Sequence, residues 1–454
     1  MKHLFLFLLA FSALVACSGN RGTAQFTDET TDTIAFKYAR LIHVEQHGGY
    51  RLVTVDNPWK PGKVLHRYVL VGASEATEAS EATEASEATE ASETTESTVA
   101  HLPQKSQLSQ KAQLPQRSHS PHSSQLPLPE TTHVRVPLQM SIIFTSVHAA
   151  LVAQLHAEEQ VAGVADLKYI KVPFVQEGCR EGRLVDCGDG MNPLVEKIID
   201  AQADAILLSP FENSGGYGRI EDVNIPLIEC AEYMESSPLA RAEWMRFYGM
   251  LYGREREADS LFAVVDSSYH ALCQQAKEAG RGSSVLVDKQ TGSVWYVPGG
   301  RSTIGQMLVD AGADYPFAGD DHSGSLSLPF ETVLERAGES DVWIFRYDSQ
   351  RPITLTQLLA EQPGYRQLRP VRLQTSGLRP QTSDDRPQTS DERPQTSDER
   401  QETLGNIYGC NVMTSMFYEE TPFRPDLLLQ DFIQIIHQDI TNLPPLRYYH
   451  KVEM

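Results

Sequence analysis

The sequence predicts an α/β fold: two doubly wound lobes joined by a single long interlobe helix, with a small N-terminal β-meander. Three observations predict it. Residues 237–280 carry apolar side chains at helical spacing: Trp244, Phe247, Tyr248 and Leu251, then Ala258, Leu261, Phe262, Val265, Tyr269, Leu272 and Ala276. On each side of this stretch, short apolar runs alternate with helical patterns, which implies mostly parallel sheets with both faces covered. Ahead of them, alternating runs at 41–44, 51–55 and 65–71 are separated by a His47-Gly48-Gly49 turn and a loop at 58–62, as in a meander.

Taken in order, residues 1–17 form a processing segment. Lys2 and His3 precede an apolar run over 4–11 that is too short to span a bilayer. Its end, Leu14-Val15-Ala16-Cys17, resembles the bacterial lipobox, which implies cleavage before Cys17 and acylation of its thiol. The alternative is an ordinary secretory signal that happens to contain a cysteine. Residues 18–72 hold a polar tether, to about residue 33, and then the meander. Residues 73–133 combine a six-residue S-E-A-T-E-A repeat with Pro/Gln/Ser/His-rich sequence; neither has an apolar face, so both are expected to be disordered. A partner-binding or sugar-bearing stalk is the alternative to a plain loop expansion.

Lobe one is expected over 134–235. It has strands at 136–144, 161–165, 205–209 and 226–230, and helices at 147–155 and 193–201. The joining segment covers 236–280, with Ser237 as a helix cap, Pro238 in a first-turn position and Gly280 as a stop. Gly249 and Gly253 weaken its middle, so a shorter helix to about Tyr252 should precede a second from about Glu255. Lobe two fills 281–454. Its strands are expected at 284–288, 294–297, 342–347 and 406–412, and its helices at 303–311, 330–337 and 427–438. A seven-residue R-P-Q-T-S-D-E/D repeat interrupts it, giving a disordered insertion at 375–403.

Composition narrows the function. The 454 residues carry 60 acidic and 39 basic side chains, a net charge of −21, which argues against nucleic acid as a partner. Eight of the acidic residues lie in 75–96, so the folded parts are less acidic than the total suggests. Beyond Cys17, five cysteines remain, an odd number, and Cys179 with Cys187 could close a local loop. No CxxC or Cys/His spacing suggests structural zinc. No G-x-S-x-G, G-x-x-x-x-G-K-[ST] or H-E-x-x-H motif supports an enzyme, and no cofactor is expected.

Two segments carry a family resemblance. Met191-Asn192-Pro193-Leu194-Val195-Glu196-Lys197-Ile198-Ile199 is followed by Asp204-Ala205-Ile206-Leu207-Leu208. Its echo is Ser327-Leu328-Pro329-Phe330-Glu331-Thr332-Val333-Leu334 with Asp341-Val342-Trp343-Ile344-Phe345. With the long helix between them, over about 134–449, the chain resembles the class III periplasmic binding proteins of ABC importers. These carry iron–siderophore complexes, cobalamin or haem. The resemblance implies a metal-chelate ligand, most readily a ferric siderophore, held between the lobes. It also implies an ABC permease and ATPase complex as partner, and a periplasmic location with a lipid anchor to a membrane. Glu196 and Glu331 are then the residues that dock one lobe each onto the permease; the plain alternative is two solvated helix carboxylates.

Ligands of doubly wound folds lie beyond the carboxyl ends of strands, so contacts are sought in the loops that follow them. In lobe one these are Ser146, His148, Glu212, Tyr217 and Arg219; in lobe two, Trp295, Tyr296, Arg301 and Tyr347. Aromatic rings offer flat apolar contact and Arg offers charge-assisted bonds, although Trp295 and Tyr296 also fit a strand core. Similar proteins carry W-Y-V-P-G-G with Asn where this chain has Arg301, which leaves the ligand's charge open. Direct binding of a bare metal ion is a further alternative, with His148, His270, His322 and His437 as candidates, but no clustering supports it. A surface lipoprotein acting in adhesion or sensing is another.

Overall fold

The computed structural model describes residues 32–72, 131–212, 216–376 and 406–454. The lipobox with Cys17 and most of both repeat insertions lie outside these residues. The N-terminal sheet has five strands in the order Asp32–Ile34, Ile42–Gln46, Tyr50–Asp56, Val64–Gly72 and Thr131–Val136. The first four run antiparallel, and the fifth lies parallel to the fourth. Sequence reasoning assigned Asp32–Ile34 to the tether and 131–133 to the insertion. Both are short edge strands with few buried side chains, so they carry little periodicity of their own.

The single strand expected at 136–144 is two strands. Thr131–Val136 completes the N-terminal sheet, and after Pro137 the chain enters lobe one as Ser141–Ile143. Pro137 offers no amide hydrogen for a ladder, so a strand cannot run through it unbroken. Lobe one is a five-stranded parallel sheet in the order Leu227–Glu229, Ala205–Leu208, Ser141–Ile143, Val161–Val164 and Val185–Asp186. Ala205–Leu208 is buried throughout, as expected of a central strand covered on both faces. A helix over Pro173–Glu181 was not expected, because its nine residues bury only Val175 and Gly178.

The joining segment breaks before Glu255 as expected, but the shorter helix is itself divided at Trp244. Ser237 caps Pro238–Glu243 by accepting from the Ala240 amide at 3.1 Å. Met245–Tyr252 ends at Gly253, whose φ of 64° is the left-handed region that suits glycine. The 25 residues of Glu255–Ala279 then form a helix roughly 37 Å long at 1.5 Å per residue. Its buried stripe is Ala258, Phe262, Val265, Tyr269, Leu272 and Ala276. Gly249 has a packing role as well, since a Cβ there would stand 2.7 Å from the Ala258 Cβ where the two helices meet.

Lobe two has parallel strands Val285–Val287, Val342–Tyr347 and Asn406–Asn411, closed by antiparallel Tyr449–Lys451. A separate antiparallel sheet of Gln290–Thr291, Val294–Pro298 and Ser325–Leu328 lies beside it. Lobe two is therefore less purely doubly wound than expected. The Cys179, Cys187, Cys230, Cys273 and Cys410 thiols are all free. Burial pushes Cys187 up to about 12 and Cys410 to about 11, so neither is a thiolate at neutral pH.

The N-terminal sheet is tied to the joining segment by two buried glutamates. Glu243 accepts the amides of Lys37, Tyr38 and Ala39 at 2.7, 2.7 and 2.9 Å. Glu235 accepts those of Arg40 and Leu41 and the Trp244 indole N–H, each at 2.9 Å. The lobes also touch directly: Lys171 of lobe one donates to the carbonyls of Val412, at 2.6 Å, and Ser415 in lobe two.

Candidate functional site

A cavity of about 460 Å³ opens at the carboxyl ends of three lobe-one strands. Phe144 and Thr145 follow Ser141–Ile143, Asp166 follows Val161–Val164, and Ser209 and Phe211 follow Ala205–Leu208. Met191, from the hairpin of Gly188–Asp189 and Asn192–Pro193, and Tyr217 complete its walls. Met191 is 77% exposed and Phe211 41%, an unusual outlay of apolar surface at one mouth. Asp166 holds a left-handed backbone (φ 55°), and a Cβ on Gly190 would stand 2.6 Å from its Oδ2. The hairpin can approach the carboxylate that closely only because position 190 has no side chain.

The expected lobe-one residues separate around this cavity. Tyr217 lines it, with its hydroxyl donating to Glu229 at 2.6 Å; burial, then the Glu229 charge, pushes this phenol up. Glu212 is exposed, next to Phe211 at the mouth, and residues 213–215 of the same loop lie outside the described residues. Ser146 is half-buried in the first turn of Ser146–Gln154, beside Thr145, whose hydroxyl caps that helix. Arg219 stands outside the cavity on the surface, paired with Glu196 at 3.1 Å.

His148 is in the core instead of on a pocket wall. It is fully buried, 3.9 Å from Glu232, and its ring centroid is 5.5 Å from that of Tyr248. The helix that carries it is buried from its first turn, at His148, Ala149, Ala150, Leu151 and Val152. The other histidines occupy separate settings. His270 pairs with Asp266 at 3.0 Å, His322 with Asp320 at 2.8 Å, and buried His437 bonds the Ala311 carbonyl at 2.9 Å.

In lobe two, strand alternation divides Trp295 from Tyr296. Trp295 is fully buried, donates its indole N–H to the Val287 carbonyl at 3.0 Å, and packs on Phe330, Trp343 and Tyr365. Tyr296 is 46% exposed on the other face. The Gly299-Gly300 pair is a backbone junction: a Cβ would come within 2.4 Å of the His322 carbonyl at 299, and 2.2 Å of the Ala318 carbonyl at 300. Arg301 is exposed, with its amide bonded to that His322 carbonyl at 3.1 Å. Tyr347 lines a second cavity of about 530 Å³ with Asp348 and Gln357, and its hydroxyl meets His450 at 2.8 Å.

Between the lobes lies a narrower cavity of about 190 Å³. Val147 of lobe one, Arg241 of the joining segment, and Thr303, Arg346 and Tyr418 of lobe two line it. Arg346 is held by Asp288 in a bidentate pair at 2.6 and 3.0 Å. The sequence reading missed Asp166, Met191 and Arg241. Asp166 was findable by the rule that selected the other loops, since it directly follows a strand. Arg241 sits within a helix and no local pattern marks it.

Glu196 and Glu331 occupy matching places. Each is exposed in the first turn of its helix, Val195–Asp200 in lobe one and Phe330–Ala337 in lobe two. Its own backbone amide, and then Arg219, hold the Glu196 carboxyl below the usual range.

Comparison with known proteins places this architecture. A family model described as periplasmic binding protein matches residues 143–372. An uncharacterized lipoprotein of Methanocaldococcus jannaschii is 26% identical over 249 residues, 53% of this chain and 59% of that protein. The chain thus spans less than two thirds of that relative. Among solved structures, a periplasmic heme binding protein from Pseudomonas aeruginosa is similar over 70% of this chain and 99% of its own, with 12% identity and a TM-score of 0.48. A periplasmic binding protein from Veillonella parvula covers 66% of this chain and 91% of its own, at 15% identity and a TM-score of 0.47. An ABC-type Fe3+-hydroxamate transport system structure from Saccharomonospora viridis covers 52% and 83%, at 21% and 0.40. With half of its length matched by the family model, the chain belongs to the periplasmic binding protein family.

Proposed function

We propose that the chain is the substrate-binding lipoprotein of an ABC importer, which captures a metal chelate and delivers it to a permease. The observation that carries this reading is the lobe-one cavity: about 460 Å³ at the strand ends, walled by Phe144, Phe211, Tyr217 and Met191. A chelate presents a broad organic surface, and flat apolar walls with a few polar groups suit it. Bare-ion binding is less well supported, because the four candidate histidines stand in four separate settings. Cys17 supplies the lipid attachment and so an extracytoplasmic tether, while Glu196 and Glu331 supply one docking contact per lobe.

The test is titration of the purified protein, without its first 17 residues, with ferric siderophores, haem and cobalamin. Heat should be the readout, because Trp244, Trp295 and Trp343 are fully buried and their fluorescence is poorly placed to sense a ligand. Saturable binding of one chelate is expected. Binding of none of them, with tight binding of a sugar or amino acid, overturns the reading.

A further inference from the structure

We propose that the lobe-one cavity selects a chelate carrying a positively charged group, with Asp166 as the residue that receives it. This rests on the proposed function and adds the sign of the ligand's charge. Asp166 is the one ionisable carboxylate on the cavity wall, and no basic side chain joins it there among the described residues. Residues 213–215 of the same loop are Asn213, Ser214 and Gly215, so they add no charge whatever their position.

The cations nearest in sequence are committed elsewhere. Arg219 pairs with Glu196 at 3.1 Å, and Lys168 with Asp189 at 3.6 Å. Lys171 is bound to two lobe-two carbonyls and lies 3.3 Å from Glu419. In the separate interlobe cavity, Arg346 is held by its bidentate pair with Asp288. An anionic chelate would therefore meet a carboxylate with no basic side chain beside it on the cavity wall, the exposed Lys168 outside being shared between Asp189 and Asp166. A cationic group would gain both that carboxylate and the neighbourhood of the aromatic rings of Phe144 and Phe211. Gly190 is part of the device, since it allows the hairpin to close against Asp166.

The experiment uses one linear ferric trihydroxamate in two forms, with its terminal amine free, as an ammonium, or acetylated, together with an anionic ferric tricatecholate. At low ionic strength the ammonium form should bind about tenfold more tightly than the acetylated form, a gap that should shrink in 0.5 M salt. Asp166→Asn should close the gap while leaving the acetylated form within about twofold, because Asn tolerates a left-handed backbone. The salt dependence of the unmutated protein carries the test if that variant folds poorly. Equal binding of the two forms, or tighter binding of the tricatecholate, overturns the charge assignment and leaves the importer reading standing. Binding of none of the three overturns the charge assignment, and the importer reading falls with it only if haem and cobalamin are refused as well.

Discussion

Arg219 Nη2 and Glu196 Oε1 lie 3.1 Å apart on the surface of lobe one, joining the segment that walls the cavity to the helix expected to meet the permease. Arg219 follows Tyr217 and Gly218, both on the cavity wall, by no more than two residues. Both partners are more than 70% exposed, so the pair adds little to stability. Its interest is positional: the residue paired with Glu196 lies two positions along the chain from Tyr217 on the cavity wall.

Glu196→Ala and Glu331→Ala should leave chelate affinity of the purified protein within about twofold, because neither residue lines the cavity. Uptake in cells should fall in each, and further in the double variant, since the two contacts lie on opposite lobes. Reversal to Arg should be worse than Ala, because repulsion is added to lost attraction. Normal uptake in the double variant would return both residues to solvated helix surface.

Glu243→Ala should destabilise the protein by about 3 kcal/mol, read as a lower denaturation midpoint. The change orphans the amides of Lys37, Tyr38 and Ala39, and the docking of the N-terminal sheet onto the joining segment loosens. Glu243→Gln keeps an acceptor and should cost less. An unchanged midpoint for Glu243→Ala would mean that water replaces the carboxylate without loss.

How much of this was legible follows from where the information lies. The interlobe helix was readable because Ala258, Phe262, Val265, Tyr269, Leu272 and Ala276 repeat at 3.6-residue spacing over 25 residues. Phe330–Ala337 and Val342–Tyr347 were readable to the residue, since one is bounded by Pro329 and Gly338 and the other is an apolar run broken only by Arg346. The edge strands Asp32–Ile34 and Thr131–Val136 were not, because their pairing depends on partners elsewhere in the chain, Arg67 for Thr131 and Gln46 for Asp32. The site was the least legible part. A loop's position after a strand is visible in sequence, but the direction of His148, Trp295 and Arg219 is set by packing.

The Glu420–Arg447 pair should make stability fall in acid. Burial alone would raise the Glu420 carboxyl, but Arg447 at 2.7 and 2.8 Å and the Tyr448 hydroxyl at 2.9 Å outweigh it and hold it below its usual range. A depressed folded value means that this stabilisation is present above the ordinary carboxylate range and is lost as pH falls through the folded value. Arg447→Gln should therefore cost about 1 kcal/mol at pH 7, modest because Arg447 is half-exposed. The gap between variant and parent in melting temperature should close as pH falls below the ordinary carboxylate range. A gap that persists in acid would assign the loss to packing instead of charge.

Lys171 supplies the sharpest test of how the lobes are held together. It leaves lobe one to donate to the carbonyls of Val412 and Ser415, and its Nζ stands 3.3 Å from Glu419, whose side chain is 1% exposed. Burial raises the Glu419 carboxyl, with Lys171 as the main opposing influence, so removing the lysine leaves a buried acid with no cation beside it. Lys171→Met should cost about 2–3 kcal/mol, less than a fully buried pair because Lys171 is partly exposed. Glu419→Gln in the same chain should recover part of that loss, since the acid that needed the lysine is gone. A double-mutant cycle in denaturant isolates the pair: a coupling above about 1 kcal/mol is expected for groups in direct contact. The same cycle on chelate affinity shows whether the lobes must be tied for binding. If the single variant unfolds at the parent's midpoint and the coupling is near zero, the lobes are held by the joining helices and by the packing of Ser146–Gln154 on Phe417–Glu420, and Lys171 is a surface contact without consequence.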